Sequence, residues 1–416
     1  MAHRRVTALR PASPPSHAAD RVHPLPWWAV AVLVFAASRV VSTVLYLWVQ
    51  TQATPLSRQG ATPSFLDLTT AWDGTWYWYI AVNGYPSVLP VGADGVVETN
   101  QWAFLPVFPY LAKLLTLGVL DWRLAALLLS TVAGFAAALL LGALLLPHLG
   151  RSRTLFAVAV FSFAPLSFLL QSAYAESLGL AFLLAALLLV DRRRYAAAIV
   201  PAPLLAFTRP GVLALALAVG LQLLVRLVRA RRGGAPLPRR ELVAGALLVV
   251  VTTASGFAWS AIAALVTGRA DAYFATEGAW RALWMPHSAI VLFEPWWFAA
   301  TFWTERFAGA AAVPFLAPLV LLVVVAGFVA LLCTRRVRRL GSISVLWCAS
   351  YALYLLAVFF PQSSVFRLLM PMAPLAGAIT PSRAGPRAVV LIGCVALQAL
   401  WIWVVIGPRQ DFWTVP

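Results

Sequence analysis

Runs of about 20 apolar residues recur along nearly the whole chain, separated by short polar stretches in which arginine dominates. Most of these runs are long enough to cross a bilayer as a helix. None shows the apolar–polar alternation over about 10 residues that marks a membrane β-barrel. The pattern predicts an all-α polytopic membrane protein with about eleven transmembrane helices. The predicted spans are 27–50, 123–147, 154–172, 175–190, 195–208, 211–228, 241–266, 310–333, 343–360, 367–380 and 387–406. Those at 195–208, 211–228 and 367–380 are short or bounded by proline and read as candidate half-spans.

Composition removes the soluble alternatives. Of 416 residues, 62% are apolar and 11% charged, and mean hydropathy is +0.85. A soluble globular domain has roughly 45–50% apolar and about 25% charged residues, and a disordered chain fewer apolar ones. The net charge is +17, from 31 basic and 14 acidic residues. In a soluble protein that balance would fit nucleic acid. Here the arginines sit in clusters between apolar runs, so they report membrane orientation and no nucleic-acid partner is expected. Cys333, Cys348 and Cys394 lie in or at the edge of apolar segments, with neither a CxxC nor a disulfide framework.

Residues 1–26 read as a disordered, basic cytoplasmic tail. A cleavable signal peptide fits less well, because the first apolar run is too long and lacks a small-residue cleavage site. Residues 27–406 form the membrane domain, and 407–416 an outer-face tail. Sidedness follows from parity. With the N-terminus inside and 102–120 interfacial, the clusters at Arg151/Arg153, Arg192–Arg194, the 226–240 loop, Arg335–Arg339 and Arg383/Arg387 all fall inside. Most acids then fall outside. If 102–120 spanned, the clusters at 151–153 and 192–194 would move outside. The positive-inside rule therefore selects eleven crossings in the cell membrane. Two long outer loops result, 51–122 and 267–309, the first carrying short interfacial helices. No Walker A motif or glycine-rich phosphate loop is present, so direct use of ATP or a nucleotide sugar has no support.

The first outer loop holds Thr70-Ala-Trp72-Asp73-Gly-Thr-Trp76-Tyr77-Trp-Tyr-Ile-Ala-Val-Asn-Gly-Tyr85. Such aromatics suit the membrane–water interface, and their faces also pack on sugar rings. Asp73 stands at the start of a short helix predicted at about 74–84. One reading makes it an N-cap on an interfacial anchor; the other makes it a general base for an acceptor hydroxyl. Trp102-Ala-Phe-Leu-Pro-Val-Phe-Pro-Tyr-Leu-Ala-Lys113 carries two prolines three apart and reads as interfacial or re-entrant. Lys113 is a candidate phosphate contact or a snorkelling lysine. Glu176, in Gln171-Ser-Ala-Tyr-Ala-Glu176-Ser, is costly beside apolar helices unless paired or functional. Arg209, in Thr208-Arg209-Pro, and Arg367, in Val-Phe-Arg367-Leu, fall at outer helix ends, where arginine is disfavoured. They are candidates to hold an anionic lipid phosphate, or to pair with Glu176 or another acid. Glu277 and Trp280 in the second loop are candidates to line an acceptor groove. Arg39 lies inside the first span with no visible partner. His148 and His287 are isolated and on different sides, so no metal site is expected.

The string from Trp72 to Tyr85 resembles the first-loop signature of PIG-V-type mannosyltransferases, members of the GT-C superfamily of multi-span glycosyltransferases. Phe104-Leu-Pro106-Val-Phe-Pro109, Tyr174-Ala-Glu176-Ser177 and Thr208-Arg209-Pro210 resemble the family's next landmarks, in the same order. The match covers about residues 30–220, and the C-terminal half follows mostly through topology. The arginine- and alanine-rich composition looks bacterial. The resemblance implies a GT-C-like fold, Asp73 as catalytic base, a polyprenyl-phosphate mannose donor and inverting transfer. It implies a lipid, glycan or protein of the cell envelope as acceptor, with Trp72, Trp76, Tyr77 and Tyr85 near the substrates. No cofactor beyond the donor lipid is expected; a divalent metal and the oligomeric state stay open. The competing class is a transporter or lipid flippase, which would predict inverted internal repeats. A non-catalytic scaffold that kept the fold is the third.

Overall fold

The computed structural model describes residues 25–285, 287 and 289–408. The expected N-terminal tail up to residue 24 and the C-terminal tail from 409 onward lie outside this range. The helices in chain order are α1 (Trp27–Gln50), α2 (Phe65–Thr69), α3 (Asp73–Asn83), α4 (Val107–Leu115), α5 (Trp122–Leu149), α6 (Arg151–Phe163), α7 (Glu176–Asp191), α8 (Tyr195–Ala198), α9 (Pro201–Ala206) and α10 (Val212–Arg231). There follow α11 (Arg239–Thr267), α12 (Ala272–Arg281), α13 (Glu294–Ala308), α14 (Val313–Cys333), α15 (Arg335–Arg338), α16 (Ser342–Val358), α17 (Val365–Leu368) and α18 (Ala384–Ile406). The only strand-like pairing among the described residues is one isolated bridge, Val91–Val97.

Among the described residues, six helical segments are long and apolar enough to cross a membrane: Trp27–Gln50, Trp122–Leu149, Val212–Arg231, Arg239–Thr267, Ala310–Cys333 and Ala384–Ile406. The other predicted spans are shorter or broken. The 154–172 segment divides into α6 and a 3-10 turn, Ser167–Gln171, because Pro165 cannot continue the helix. The 195–208 segment divides into α8 and α9, and 367–380 is mostly a 3-10 stretch, Met370–Ala378, holding Pro371 and Pro374. Within 102–120, expected to be interfacial, the α-helix is α4, nine residues long. At about 1.5 Å per residue it cannot cross a core about 30 Å thick.

Packing is densest between α5 and α7. Ala133, Gly134, Ala137 and Ala138 of α5 are buried, as are Leu180, Leu183, Leu184 and Leu187 of α7. Small residues let membrane helices approach closely. A Cβ on Gly134 would lie 2.5 Å from the Phe35 ring of α1 and 3.2 Å from the Leu170 carbonyl. By contrast, only 6% of the most apolar window around α14 is buried. An apolar helix left this bare belongs in lipid, and the chain is accordingly a multi-pass membrane protein.

Arg39 in α1 has its partners in the broken segment. Its Nη1 donates to the Ser167 carbonyl at 2.6 Å and its Nη2 to the Ser162 carbonyl at 2.9 Å. The Ser162 carbonyl belongs to the last turn of α6, just before the Pro165 break, and the Ser167 carbonyl to the start of the 3-10 turn after it. The expected isolation of the two histidines is corrected likewise: His148 Nε2 lies 3.2 Å from Asp191, and His287 Nε2 lies 3.3 Å from Glu294.

The two long loops meet at one end of the bundle. Asn100 Nδ2 donates to Thr276 Oγ1 at 2.9 Å, and the Trp259 indole donates to the Trp102 carbonyl at 3.0 Å. The arginine-rich turns, α15 and the start of α18 gather at the other end, around Leu149 at the C-terminus of α5.

Candidate functional site

Four charged side chains from four separate segments converge at the loop end. Asp73 is the first residue of α3, Glu176 the first of α7, Arg209 precedes α10 and Arg367 sits in α17. Arg367 Nη1 donates to Asp73 Oδ2 at 2.6 Å, while its Nε lies 3.5 Å from Glu176 Oε1. Arg209 Nη1 approaches the same oxygen at 3.0 Å. Glu176 is nearly inaccessible, with 3% of its side chain exposed, against 19% for Asp73. Two carboxylates and two guanidiniums make the cluster neutral, which burial at this depth demands. The pairing is loose at its centre. Both Glu176 oxygens and Arg367 Nε lack an aligned hydrogen-bond partner, as does the neighbouring Thr70 hydroxyl. Buried polar atoms left unsatisfied are rare in folded proteins and mark places where a ligand can supply the partner.

Local structure explains how Asp73 reaches Arg367. Trp72, not Asp73, occupies the N-cap of α3. The N-cap reading of Asp73 is therefore corrected: its carboxylate bonds Arg367 instead of the helix. Trp72 holds φ 60° and ψ −118°, a strained conformation for a bulky residue. The strain is held from both sides of the ring. The indole donates to the Val405 carbonyl at 3.0 Å, and the Arg58 guanidinium lies 3.7 Å over the ring. Next in sequence, Gly74 leaves room for the Ala173 carbonyl, which a Cβ would meet at 3.2 Å. Opposite, Arg209 crosses α7 where Gly179 stands; a Cβ there would meet Arg209 Cγ at 2.7 Å. Burial is the largest influence on Arg209 and works against its charge, but Glu176, Tyr77 and Asp73 together hold the guanidinium above its usual range.

Arg209 also borders a cavity of about 450 Å³, lined by Glu277, Trp280, Tyr354, Gln362 and Leu368 among others. Its walls are mostly apolar, including Phe257, Trp259 and Phe359. Glu277, half-buried in α12, is pushed up to about 7 by burial, against the opposing pull of a Tyr273 hydrogen bond and Arg281. A smaller cavity of about 30 Å³ is bordered by Glu176, Arg209 and Arg367 together.

The other expected site residues divide. Glu277 and Trp280 line the large cavity. Trp76 stacks on Phe104 with centroids 5.5 Å apart and meets Trp280 edge-on at 5.3 Å, linking the two loops. Tyr77 is 2% exposed and packs on Phe108, so its ring is core and not a sugar platform. Tyr85 packs between Trp102 and Trp259 and donates to the Phe104 carbonyl at 2.8 Å; it too is structural. Trp72 is an anchor, as above. Lys113 is exposed on α4 and stands outside the charge cluster. Reading by sequence missed Tyr174, whose ring lies 5.6 Å from the Arg367 guanidinium carbon, although it stands two residues before Glu176. It also missed Gly179, Tyr351 and Tyr354, which are ordinary positions in apolar helices. Among the described residues, no three His, Cys, Asp or Glu side chains group as metal ligands.

No protein-family model and no curated protein matches the chain. Among solved structures it is similar to an oligosaccharyltransferase of Archaeoglobus fulgidus. The TM-score is 0.35 and the identity 14%, over 91% of this chain and 54% of that one. The chain thus spans about half the length of that protein.

Proposed function

We propose that the protein is an inverting membrane glycosyltransferase, which moves a sugar from a polyprenyl-phosphate donor to an envelope lipid, glycan or protein. The observation that carries this reading is the Asp73–Arg367–Glu176–Arg209 cluster, which opens at Arg209 onto the apolar-walled cavity. The resemblance of the motifs from Trp72 to Pro210 to those of PIG-V-type mannosyltransferases supports mannose as the sugar. In the same reading the N-terminus is cytoplasmic, the chain crosses eleven times and the cluster faces outward, where nucleotide sugars are absent and the donor must be lipid-borne.

The chemistry follows from charge. Asp73 accepts the proton of the acceptor hydroxyl as its oxygen bonds to the sugar C1. The bond between C1 and the phosphate oxygen breaks on the opposite face, and its electron pair leaves with the polyprenyl phosphate. Arg367 contacts Asp73, so it is placed to shift charge toward the departing phosphate as the carboxylate is protonated. Arg209, between the cluster and the cavity, is the second phosphate contact. Glu176 holds both guanidiniums in place. The cavity walls take the first isoprene units, and Trp280 and Glu277 meet the sugar or acceptor.

The test uses purified protein in nanodiscs with radiolabelled polyprenyl-phosphate mannose and a membrane extract as acceptor. Wild-type protein is expected to transfer label. Asp73→Asn is expected to lose at least about a hundredfold, the range typical of a missing general base. Undiminished transfer by Asp73→Asn would remove Asp73 as the base. No transfer by folded wild-type protein with any polyprenyl-phosphate sugar, together with movement of labelled lipid between leaflets, would replace the enzyme by a flippase.

A further inference from the structure

At the end of the bundle opposite the Asp73 cluster lies a cavity of about 400 Å³ whose rim holds Arg153, Arg336, Arg339 and Arg383. These come from three segments far apart in sequence: the first turn of α6, α15 with the residue after it, and the N-cap of α18. Thr380 and Ser382 add hydroxyls, Leu149 and Gly377 border it, and its lining contains no carboxylate. The 28 residues of α5 separate the two ends by about 40 Å, so this cavity is distinct from the site above.

Arginine clusters are expected on one side of any membrane protein; here four arginines from three separate segments share one cavity. Several others at this end have structural work. Arg226 pairs with Glu241 at 2.7 Å, Arg151 donates to the Leu25 carbonyl, and Arg387 donates to the Pro381 carbonyl. Among the described residues, none of the four cavity arginines has an ion-pair or hydrogen-bonding side-chain contact. Four like charges gathered on one cavity with no carboxylate in its lining make a positive potential that attracts an anion. Planar guanidiniums with two hydroxyls match the oxygens of a phosphoryl group.

We infer that this cavity binds the phosphate of an anionic membrane lipid. The position of the cavity favours a lipid over a soluble anion. Pro386 lines it, and Val389 and Ile392 follow at helical spacing along α18, 70% and 68% exposed. An acyl chain can lie along that apolar stripe while the headgroup enters among the arginines.

Native mass spectrometry of the detergent-purified protein, titrated with phosphatidylglycerol or phosphatidylcholine, tests the assignment. Wild type is expected to retain one phosphatidylglycerol in preference to phosphatidylcholine. The triple variant Arg153→Gln/Arg336→Gln/Arg383→Gln should weaken that retention by at least about tenfold and leave phosphatidylcholine unaffected. The control Arg231→Gln/Arg232→Gln removes exposed charges of the same end outside the cavity and should change retention less than about twofold. All these positions are exposed, and an unchanged melting temperature establishes that the variants fold. Equal losses in triple variant and control would overturn the site in favour of diffuse charge. Displacement of the lipid by millimolar inorganic phosphate would overturn the lipid as ligand and leave a site for soluble phosphorylated anions.

Discussion

At the residue scale, the Arg367 guanidinium touches both carboxylates of the cluster, and its removal leaves Asp73 without its cation and the cluster with one negative charge in excess, since Arg209 still pairs with Glu176. Arg367→Ala should therefore cost about 3–5 kcal/mol of stability, as broken buried pairs do. Arg367→Lys restores the charge but not the planar fork. It should recover most of the melting temperature while activity stays at least about tenfold low; equal recovery of both would make Arg367 a structural cation only. A second prediction concerns Glu277, held near 7 by burial in α12, above its ordinary 4.5. A raised folded value means that this group's contribution to stability is full below about 4.5 and is lost as pH rises through about 7. Between pH 5 and 8 the wild-type melting temperature should fall relative to that of Glu277→Gln. Parallel curves for the two proteins would show that Glu277 titrates normally.

At the element scale, helix starts and packing gaps do the positioning. Gly179 gives Arg209 its path across α7. Gly179→Leu should displace the guanidinium from Glu176 and reduce label transfer as far as Arg209→Ala does. The double variant should lose little more, since both changes act on one contact; additive losses would separate them. In the first loop, Ser64 and Asp67 form a capping box on α2, and Asp67 also meets Arg123 at 2.7 Å. The Ser64 hydroxyl, followed by the Ser64 amide and Arg123, holds the Asp67 carboxyl below its usual range. Ser64→Ala should cost about 1 kcal/mol, visible as a lower midpoint in thermal unfolding. These features were partly legible. The helix expected at about 74–84 is found as α3, one residue earlier, and the span expected at 27–50 is α1. The 154–172 and 367–380 segments read as continuous because hydropathy averages over a window, whereas a single proline decides whether the backbone bonds continue.

At the scale of the whole molecule, the contact between the first and second long loops, through Asn100 and Thr276, puts both at one end of the bundle. The cavity arginines lie at the other. In the proposed topology the arginine-rich end is cytoplasmic. Asp94→Cys, placed in a protein with its three native cysteines replaced, should react with an impermeant maleimide on intact cells. Arg232→Cys should react only after the membrane is opened. The reverse pattern would invert the topology and put the Asp73 cluster in the cytoplasm, where a lipid-borne donor is no longer required.

By itself the sequence determined what depends on local composition. Apolar run length set a multi-helix membrane protein, since the bilayer admits backbone only when its bonds close within a segment. Residue type marked Asp73, Glu176, Arg209 and Arg367, because a charge beside apolar helices is costly wherever it ends up. What pairs with what was decided by the tertiary structure alone. Asp73 and Arg367 are 294 positions apart and meet at 2.6 Å; no local pattern encodes that distance. The same holds for the aromatics. Tyr77, Tyr85 and Trp280 look alike as residues at an interface, yet Tyr77 is core, Tyr85 is partly buried against Trp102 and Trp259, and Trp280 lines a cavity. An aromatic ring is satisfied by protein or by ligand equally well, so only the packing of the two loops distinguishes them.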